Sequence, residues 1–468
     1  IDIDNFGSFE INIDLNLISK YITVDKVLFD FYYRYSNEIH MIEKKLGFEE
    51  YDFKKDGILE KDYFKTPNGY VYSYLCITPH GNLKLDAMLL DRKKHYYLKY
   101  KQHLDVWLNR NRDVWLVGER PDTAQDTGYH FFKYCRENYP EKEVYYVIQS
   151  DSKDRKNIDY LGNVVELGSY EHFKLSAIAK KFIGSHDLEY FLPVKPVEFT
   201  SYKKGTRVFL QHGVLGRRKV EYYKRDYIYP FHLFCVSSDS EKELVMHEMG
   251  YSNDEVIVTG LTRFDALLDQ NDPTDDILLI PSWRPWLNNN RTFTSSEYFK
   301  RYHELLSDQE LHSLLEKHNL TLNFYPHYRI QPYITNFREH YHNRINILKL
   351  GEMSVQQLLK NHRLMITDYS SVSMDFNYMN KPVIFYHFDF KKYFKDGSLR
   401  KPEETFIGDI VQEKAEMIQV LERHIQRNFI VDKKYVIQKQ HLFKYEDTNN
   451  CKRVFKYLNK KNTPSSNL

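Results

Sequence analysis

The sequence lacks the features that define several common protein classes. Its four cysteines are far apart, with no Cys-x-x-Cys pair and no Cys/His cluster. This spacing excludes a structural zinc site of ordinary type and predicts free thiols, as in cytoplasmic proteins. No apolar run approaches the roughly 18 residues of a membrane span, and we expect no signal peptide before the first strand-like residues. The 67 basic and 65 acidic residues nearly cancel to a net charge of +2, which argues against a nucleic-acid partner.

The sequence also has no internal repeat of fixed period, and low-complexity composition is confined to its C-terminal tail. It begins at Ile1 rather than at Met, so we expect the chain to be part of a longer protein. Tyrosine (39) and phenylalanine (30) are abundant. Such aromatic residues suit surfaces that stack on sugars or lie at a membrane interface, although an AT-rich genome would produce the same bias.

Residues 1–105 differ in pattern from the rest of the chain. Residues 9–16 alternate apolar and polar, residues 70–77 read as a further strand, and Asn68-Gly69 is a typical hairpin turn. This pattern predicts a small β-rich accessory domain with antiparallel strands. The basic, aromatic stretch 93–108 predicts a linker helix.

From residue 113 onward, apolar strand patterns alternate with helical patterns. We predict an α/β fold of two doubly wound Rossmann-type domains, at 113–268 and 277–428, with a polar hinge at 270–276 and a helical, polar tail at 429–468. Two such domains facing a cleft are the architecture of transferases that use nucleotide diphosphates.

The stretch 364–386 predicts a strand, a tight polar turn, a helix and a second strand. The turn presents the hydroxyls of Ser370 and Ser371 with free backbone N–H groups, which is an arrangement that binds phosphate. Asp368 and Asp375 flank the turn. An alternative is that these serines and aspartates only cap the helix.

Other polar residues also follow predicted strands of the second half. They offer a hydroxyl, an indole, two guanidiniums and an imidazole: Ser282, Trp283, Arg284, His327 and Arg329. Ligands bind at the carboxyl ends of parallel strands, so together these groups predict a pyrophosphate site. The alternative is that Trp283 belongs to the core and that His327 and Arg329 cap a loop.

In the first half, His212 directly follows a predicted strand and precedes Gly213. An imidazole facing a phosphate site is suited to remove a proton from an attacking hydroxyl, although most of the 20 histidines will be structural. No Asp-x-Asp follows a strand of the second half, so the sequence requires no metal ion and no cofactor.

Arg217, Arg218 and Lys219 begin a basic and aromatic stretch that continues to Tyr229. This stretch could contact anionic lipid headgroups or a polyanionic acceptor. A solvated helix face is the alternative.

These motifs together resemble the CDP-glycerol glycerophosphotransferase family of teichoic-acid and capsule synthesis, which includes glycerol-phosphate and ribitol-phosphate primases and polymerases. The resemblance spans about 113–428 and is carried by His-Gly at 212–213, Pro-Ser-Trp-Arg at 281–284, Pro-His-Tyr-Arg at 326–329 and ITDYSSVSMDF at 366–376. Many members follow the His-Gly with Thr-Pro, where this chain has Val214-Leu215.

The resemblance implies a GT-B-like fold, with the acceptor bound by the N-terminal half and a CDP-alditol donor bound by the C-terminal half. It implies that His212 is the catalytic base, with His327 as a second catalytic candidate. The donor site would then contain residues of the second half: Ser282, Trp283, Arg284, His327, Arg329, Asp368, Ser370, Ser371 and Asp375. Gly213, Arg217, Arg218 and Lys219 would lie on the acceptor or membrane side.

The expected activity is transfer of glycerol-phosphate or ribitol-phosphate from a CDP-alditol to a hydroxyl of a lipid-linked saccharide or a growing polyol-phosphate chain, with release of CMP. We expect a cytoplasmic protein, with peripheral contact at the inner face of the plasma membrane as a further expectation. Two alternatives remain: a nucleotide-sugar glycosyltransferase of the GT-B type, and a non-catalytic polymer-binding module of a larger synthase.

Overall fold

The computed structural model describes residues 17, 21–22, 26–36, 41–55, 57–268, 273–338 and 340–460. The predicted strand at 9–16 and residues 270–272 of the predicted hinge lie outside the described residues. The described residues belong to two compact units. The first lies within 1–124, 136–208 and 222–232, and the second within 125–135, 209–221 and 233–468.

The strands are short, as is usual in parallel sheets. They are β1 (Val27–Asp30), β2 (Tyr32–Ser36), β3 (Met41–Lys45), β4 (Glu60–Thr66), β5 (Gly69–Ile77), β6 (Leu83–Leu90), β7 (Trp115–Gly118), β8 (Val144–Ile148), β9 (Val164–Glu166), β10 (Lys181–Gly184), β11 (Thr206–Phe209), β12 (Leu233–Val236), β13 (Val256–Val258), β14 (Asp275–Leu279), β15 (Leu322–Phe324), β16 (Ile345–Ile347), β17 (His362–Thr367), β18 (Val383–Tyr386) and β19 (Asp409–Val411).

The α-helices are α1 (Arg92–Tyr96), α2 (Gln102–Leu108), α3 (Thr127–Asn138), α4 (Tyr170–Ile178), α5 (Thr200–Lys204), α6 (Asp239–Met249), α7 (Asn290–Thr294), α8 (Glu297–Leu306), α9 (Gln309–Lys317), α10 (Val355–Asn361), α11 (Val372–Tyr378), α12 (Phe390–Tyr393), α13 (Pro402–Thr405), α14 (Lys414–Gln426), α15 (Lys433–Gln438) and α16 (Asn450–Lys460). A π-helical segment, Tyr97–Lys101, joins α1 to α2. Short 3₁₀ helices occur at Lys153–Asn157, Asp159–Leu161, Leu188–Phe191, Pro196–Glu198, Lys224–Asp226, Thr262–Ala266, Gln331–Asn336 and Lys439–His441.

The first unit combines antiparallel and parallel strands. Strands β1, β6, β5 and β4 form an antiparallel sheet in that order, β2 pairs with β3, and the pairs β10–β7, β7–β8 and β8–β9 are parallel. A hairpin turn joins β4 to β5 at Pro67-Asn68, one residue before the predicted Asn68-Gly69, because Gly69 already pairs with Thr66. Within this unit Lys195 and Asp86, both buried, form an ion pair at 2.7 Å.

The second unit contains a parallel sheet in the order β16-β15-β14-β17-β18-β19. Its strands are apolar on both faces, as expected for a sheet with helices on each side. Ile277, Leu279 and Ile366 pack against α8, α9 and α14, whereas Leu278 and Met365 pack against α10 and α11. The carboxyl ends of β14, β15, β17 and β18 therefore lie at one edge of the sheet.

The prediction of an α/β protein with parallel sheets is confirmed. Most predicted strands and helices of the second half agree with the structure to within a few residues, but the three-residue strand β19 was not predicted. The alternative of a helix face in the stretch 217–229 is wrong, because only the 3₁₀ turn Lys224–Asp226 forms there.

Cys76, Cys135, Cys235 and Cys451 are buried and form no disulfide, consistent with the predicted free thiols. Among the described helices, none combines the length and the apolar character that crossing a membrane requires.

Candidate active site

A buried guanidinium joins the loops that follow three neighbouring strands. Arg284, after β14, is fully buried; its Nη1 donates to Asp368 Oδ2 (2.8 Å), after β17. Its Nε and Nη2 donate to the two carboxylate oxygens of Asp389, after β18, at 2.7 and 2.8 Å. Burial alone would lower the pKa of Arg284, but the two carboxylates raise it well above its usual value. The three loops are thereby fixed to one another.

Asp368 is fully buried and uses both carboxylate oxygens within the protein. Oδ1 accepts from the backbone N–H groups of Ser282 (2.8 Å) and Tyr369, and Oδ2 accepts from Arg284 and from the Tyr302 hydroxyl at 3.1 Å. The prediction that Arg284 offers its guanidinium to a pyrophosphate needs correction. Arg284 is paired with Asp368 and Asp389 beneath the loops, and neither Arg284 nor Asp368 faces solvent.

Ser370 is half-buried and Ser371 is exposed, directly before α11. Ser371 occupies the N-cap position, yet its side chain makes no capping bond. Neither serine hydroxyl bonds to any other residue of the described chain. Both hydroxyls are therefore available to a ligand, whereas helix capping alone does not account for them.

The loop after β15 places an exposed cation beside an indole. The guanidinium of Arg329 lies 4.3 Å from the ring centre of Trp283, which is half-buried. The backbone N–H of Arg329 donates to Nδ1 of His327 (3.2 Å), so the imidazole caps this loop, in agreement with the loop-capping alternative. Ser282 is buried and contributes its backbone N–H to Asp368. Of this group, Arg329 is exposed and Trp283 and His327 are half-buried, so these three side chains present surface to a ligand.

His212 projects from a strained and firmly held loop. Its side chain is exposed, while the preceding Gln211 is buried with a positive φ of 60°. Non-glycine residues rarely adopt that conformation unless their surroundings enforce it. Here the Gln211 side chain donates to the carbonyl of Cys235 (2.6 Å), and the buried Glu241 carboxylate accepts from the backbone N–H of Leu215 (2.6 Å).

Arg263 connects this loop to the helix that follows Ser371, and no sequence pattern singles it out. Its Nε and Nη2 donate to both carboxylate oxygens of Asp375, on α11, at 2.8 and 2.7 Å. Its Nη1 donates to the carbonyl of His212 (2.6 Å) and to Asp126 (2.9 Å), which precedes α3. Burial opposes the charge, but Asp375 and Asp126 raise the pKa of Arg263. Asp375 thus positions α11 through Arg263.

Arg217 makes a second connection between the same two loops. It is buried, not exposed as expected for an acceptor-side or membrane-side residue, because it donates to the carbonyls of Ser370 and Thr405 (2.7 Å to the latter). Its guanidinium also stacks 4.2 Å from the ring centre of Phe406. Arg218 and Lys219 are exposed, and a Cβ on Gly213 would meet no atom of the described chain within 4 Å.

The arrangement therefore combines two unbonded hydroxyls, an exposed imidazole and an exposed guanidinium on loops that buried arginines hold in place. Such groups can bind phosphate oxygens and accept a proton from a hydroxyl. Within the described residues, no group of three or more His, Cys, Asp or Glu side chains is arranged to hold a metal ion.

Comparison with known proteins identifies relatives. The family model of CDP-Glycerol:Poly(glycerophosphate) glycerophosphotransferase matches residues 98–460. The minor teichoic acid biosynthesis protein GgaB of Bacillus subtilis (strain 168) is 28% identical over 440 residues, covering 91% of this chain and 46% of GgaB. The teichoic acid ribitol-phosphate polymerase TarK of Staphylococcus aureus (strain NCTC 8325 / PS 47) is 28% identical over 48% of this chain and 44% of TarK. The chain thus spans less than half the length of either relative.

A solved structure of the wall teichoic acid polymerase TagF has a similar fold. It superposes with a TM-score of 0.60 at 16% identity, covering 79% of this chain and 93% of the TagF chain. This agreement supports the mixed α/β fold, and the family model covers most of the chain. The protein therefore belongs to the CDP-glycerol:poly(glycerophosphate) glycerophosphotransferase family.

Proposed function

We propose that this protein transfers glycerol-phosphate or ribitol-phosphate from a CDP-alditol to an acceptor hydroxyl in teichoic-acid synthesis. The acceptor oxygen attacks the phosphorus that carries the alditol, and a new P–O bond forms. The bond from that phosphorus to the bridging oxygen breaks, and CMP leaves with the bond's electron pair. The acceptor is a lipid-linked saccharide or a growing polyol-phosphate chain.

The observation that carries this proposal is the pair of arginine connections between two loops. Arg263 donates hydrogen bonds to the His212 carbonyl and to Asp375. Arg217, which lies five residues after His212 in the chain, donates to the Ser370 carbonyl. The loop that carries the exposed His212 imidazole and the loop that carries the two serine hydroxyls therefore belong to connected segments of one compact unit, which supports the proposal. Fixed geometry of this kind is what phosphoryl transfer requires, since positioning and charge stabilisation supply most of its catalysis.

In the proposed reaction the His212 imidazole takes the proton of the attacking hydroxyl. Ser370, Ser371 and Arg329 bind oxygens of the donor diphosphate and stabilise charge on the transferred group and on CMP. Trp283 borders the donor, and His327 holds the loop that carries Arg329. The reaction as proposed uses no metal ion and no cofactor, because guanidinium and hydroxyl donors face the phosphates.

At the level of the whole fold, we propose a GT-B-like transferase in which the domain at 113–268 binds the acceptor and that at 277–428 binds the donor. Family membership and the fold shared with TagF support this assignment; one TagF structure is described as soaked with CDPG. A peripheral position at the inner face of the plasma membrane, where lipid-linked acceptors lie, belongs to the same proposal.

A donor panel tests the proposal. The protein is incubated with CDP-glycerol, CDP-ribitol and UDP-sugars, each with a polyol-phosphate acceptor and with EDTA, and the released nucleotide is identified. We expect CMP from one CDP-alditol in the presence of EDTA. Release of UDP instead would indicate a glycosyltransferase, and acceptor binding without any nucleotide release would indicate a polymer-binding module.

The role of His212 is tested by substitution. His212→Ala should lower kcat by about 10²- to 10⁴-fold, the typical contribution of general-base catalysis, and should leave CDP-alditol affinity within about twofold. His247→Ala is the control, because His247 is exposed on α6 of the same unit and far along the chain from the site loops. Wild-type turnover by the His212 variant would remove this residue from the mechanism.

A further inference from the structure

Two stretches of the second unit are strongly basic although the whole chain is nearly neutral. Residues 217–219 and 390–401 together contain eight lysines and arginines and one carboxylate, Asp396. The overall ratio of basic to acidic residues is close to one, so this composition is a local feature. We call the two stretches together the basic patch.

Direct contacts join the two stretches into one surface. The backbone N–H of Arg400 donates to the carbonyl of Gly216 (2.8 Å), and the guanidinium of Arg218 lies 4.8 Å from the ring centre of Tyr393. A Cβ on Gly216 would lie 2.7 Å from Thr405 Cγ2 and 3.2 Å from Arg400 Cδ, so a side chain at residue 216 would require these neighbours to shift. The patch is therefore a structural entity and not a coincidence of sequence.

The positive charges of the patch are not neutralised within the protein. Six of its cationic side chains are exposed, and none forms an ion pair with any described residue: Arg218, Lys219, Lys391, Lys392, Lys395 and Lys401. Beneath them, the buried guanidiniums of Arg217 and Arg400 also have no carboxylate partner in the described chain, and each has a buried N–H group without an acceptor. Such a surface attracts a polyanion.

The patch adjoins the proposed site. The Tyr393 ring stacks on that of Tyr369 with centroids 4.2 Å apart, and Tyr369 directly precedes Ser370. Arg217, at one end of the patch, bonds the Ser370 carbonyl, and Lys392 lies over the Trp286 ring at 4.6 Å. A polyanion bound on the patch would thus have one end at the loop of Ser370 and Ser371.

We propose that the basic patch, which continues from residues 217–219 of the proposed acceptor domain onto residues 390–401 of the proposed donor domain, binds the phosphates of the acceptor, a polyol-phosphate chain, and directs its terminal hydroxyl to the site. This inference rests on the proposed function. Eight cations exceed what the two phosphates of a donor can neutralise, whereas a polyol-phosphate chain carries one negative charge in every repeat. A membrane surface would favour exposed large apolar side chains among the cations, and none of the exposed large hydrophobic residues of the described chain lies within the patch.

Charge removal on the full-length protein tests this inference. The test variant replaces four exposed patch lysines with glutamine: Lys391→Gln, Lys392→Gln, Lys395→Gln and Lys401→Gln. The control variant replaces four exposed lysines of α15 and α16 in the same unit, none of which forms an ion pair with a described residue: Lys433→Gln, Lys434→Gln, Lys452→Gln and Lys456→Gln. The two variants have the same net charge.

With a glycerol-phosphate or ribitol-phosphate oligomer of about ten repeats as acceptor, we expect the test variant to raise KM for the oligomer at least tenfold. Its KM for the CDP-alditol and its kcat at saturating oligomer should stay within twofold of wild type, and the control variant should match wild type throughout. The wild type should have a lower KM for long oligomers than for short ones, and this difference should disappear in the test variant. Equal oligomer KM values for the test and control variants would overturn the inference.

Two further measurements distinguish acceptor binding by the patch from membrane binding and from a failure of the proposed activity. If the test variant loses binding to phosphatidylglycerol vesicles while its oligomer KM is unchanged, the patch binds a membrane and the inference is wrong. If the wild type releases no CMP from any CDP-alditol, the proposed function fails, and direct titration with the oligomer then decides the inference alone. Binding by the wild type and the control variant, but not by the test variant, would support it; equal binding by all three would refute it.

Discussion

The Arg263 side chain contacts three separate segments of the chain. Its guanidinium forms ion pairs with Asp375 and Asp126 and bonds the His212 carbonyl, with 12% of its side chain exposed. A lysine could not reproduce this geometry, because its ammonium lacks the planar fork of donors. Arg263 therefore holds the backbone of His212, the proposed base, together with α11.

We expect Arg263→Ala to lower the free energy of unfolding by about 3–5 kcal/mol, because it leaves the buried Asp375 carboxylate unpaired. Asp375→Ala should lower it less, by about 1–3 kcal/mol, because Arg263 keeps Asp126 as a partner. In the double variant, the free energy of unfolding should fall by at least about 1 kcal/mol less than the sum of the losses in the two single variants. Urea unfolding of the four proteins measures this coupling. The control is a second double-mutant cycle, on the ion pair of Arg427 and Asp432, whose arginine is 45% exposed. Its coupling energy should be below about 1 kcal/mol. Additive losses at Arg263 and Asp375 would contradict the bridging role.

His387 supplies a pH dependence at the same edge of the sheet. Its buried imidazole donates from Nε2 to the carbonyl of Asp368 (3.0 Å), and burial lowers its pKa to about 4. Between that value and the unfolded pKa of about 6.5, the unfolded state binds more protons, so stability rises with pH in this window. From pH 7 to pH 5, protonation on unfolding should remove about 2 kcal/mol of stability.

The measurement is urea unfolding at pH 7 and pH 5. Between pH 7 and pH 5, the free energy of unfolding of His387→Gln should fall by about 2 kcal/mol less than that of the wild type, by the linkage relation. The control His247→Gln, at an exposed residue, should lose as much stability over this interval as the wild type. A His387 variant with the wild-type pH dependence would show that another group, such as the buried His130 or His172, accounts for the acid sensitivity.

At the scale of elements, the N-terminus of α16 is docked on the turn that carries Arg263. Asp265 accepts from the backbone N–H groups of Asn450 and Cys451, both at 2.8 Å. Gly260, two residues before that turn, has a positive φ of 74°, and a Cβ there would overlap Asn450 Oδ1. The turn and the helix can approach this closely only because residue 260 has no side chain.

We expect Gly260→Ala to lower the free energy of unfolding by about 2–4 kcal/mol, through left-handed strain and steric overlap together. Gly250→Ala separates the two effects, since Gly250 has a φ of 77° but a Cβ there would meet nothing within 4 Å. It should lose about 1 kcal/mol. Thermal unfolding of both variants makes the comparison, and equal losses would show that the contact with Asn450 is unimportant.

At the scale of the whole molecule, the compact units do not follow the chain in two consecutive blocks. The second unit takes in residues 125–135 and 209–221 as well as everything from 233 onward. One of its cores combines Val214 and Phe264 with Met374, Tyr378 and Phe443, and the rings of Phe264 and Tyr378 stack with centroids 4.3 Å apart.

We therefore expect a fragment of residues 269–468, which contains the predicted donor domain, to lack a cooperative thermal transition at the temperature of the full chain. Without residues 214 and 261–267, the apolar surface of α11 would be exposed to water. Near-ultraviolet circular dichroism during heating, compared with the full chain, measures this. A fragment that unfolds cooperatively at the same temperature would show that the domain at 277–428 is self-sufficient.

The elements of the fold were predictable because parallel strands buried on both faces are continuous apolar runs, as at 277–280 and 383–386. The position of the candidate site followed from the rule that ligands bind past the carboxyl ends of such strands. What the sequence could not reveal was which charges are already paired. Arg284 and Arg329 both follow strands, but Arg284 is neutralised by Asp389, 105 residues away, while Arg329 is exposed. The connection of Arg263 to Asp375 spans 112 residues and has no local signature.

The three acceptors of Arg263 come from distant segments, around residues 126, 212 and 375. In a chimera that takes only the segment around Asp375 from a relative, the imported α11 would have to pair with Arg263 of this chain instead of its own partner. Exchanging donor preference between relatives by recombination should therefore succeed only when the 263 turn and α11 are transplanted together. A crossover point placed before residue 126 keeps Arg263 together with all three of its acceptors.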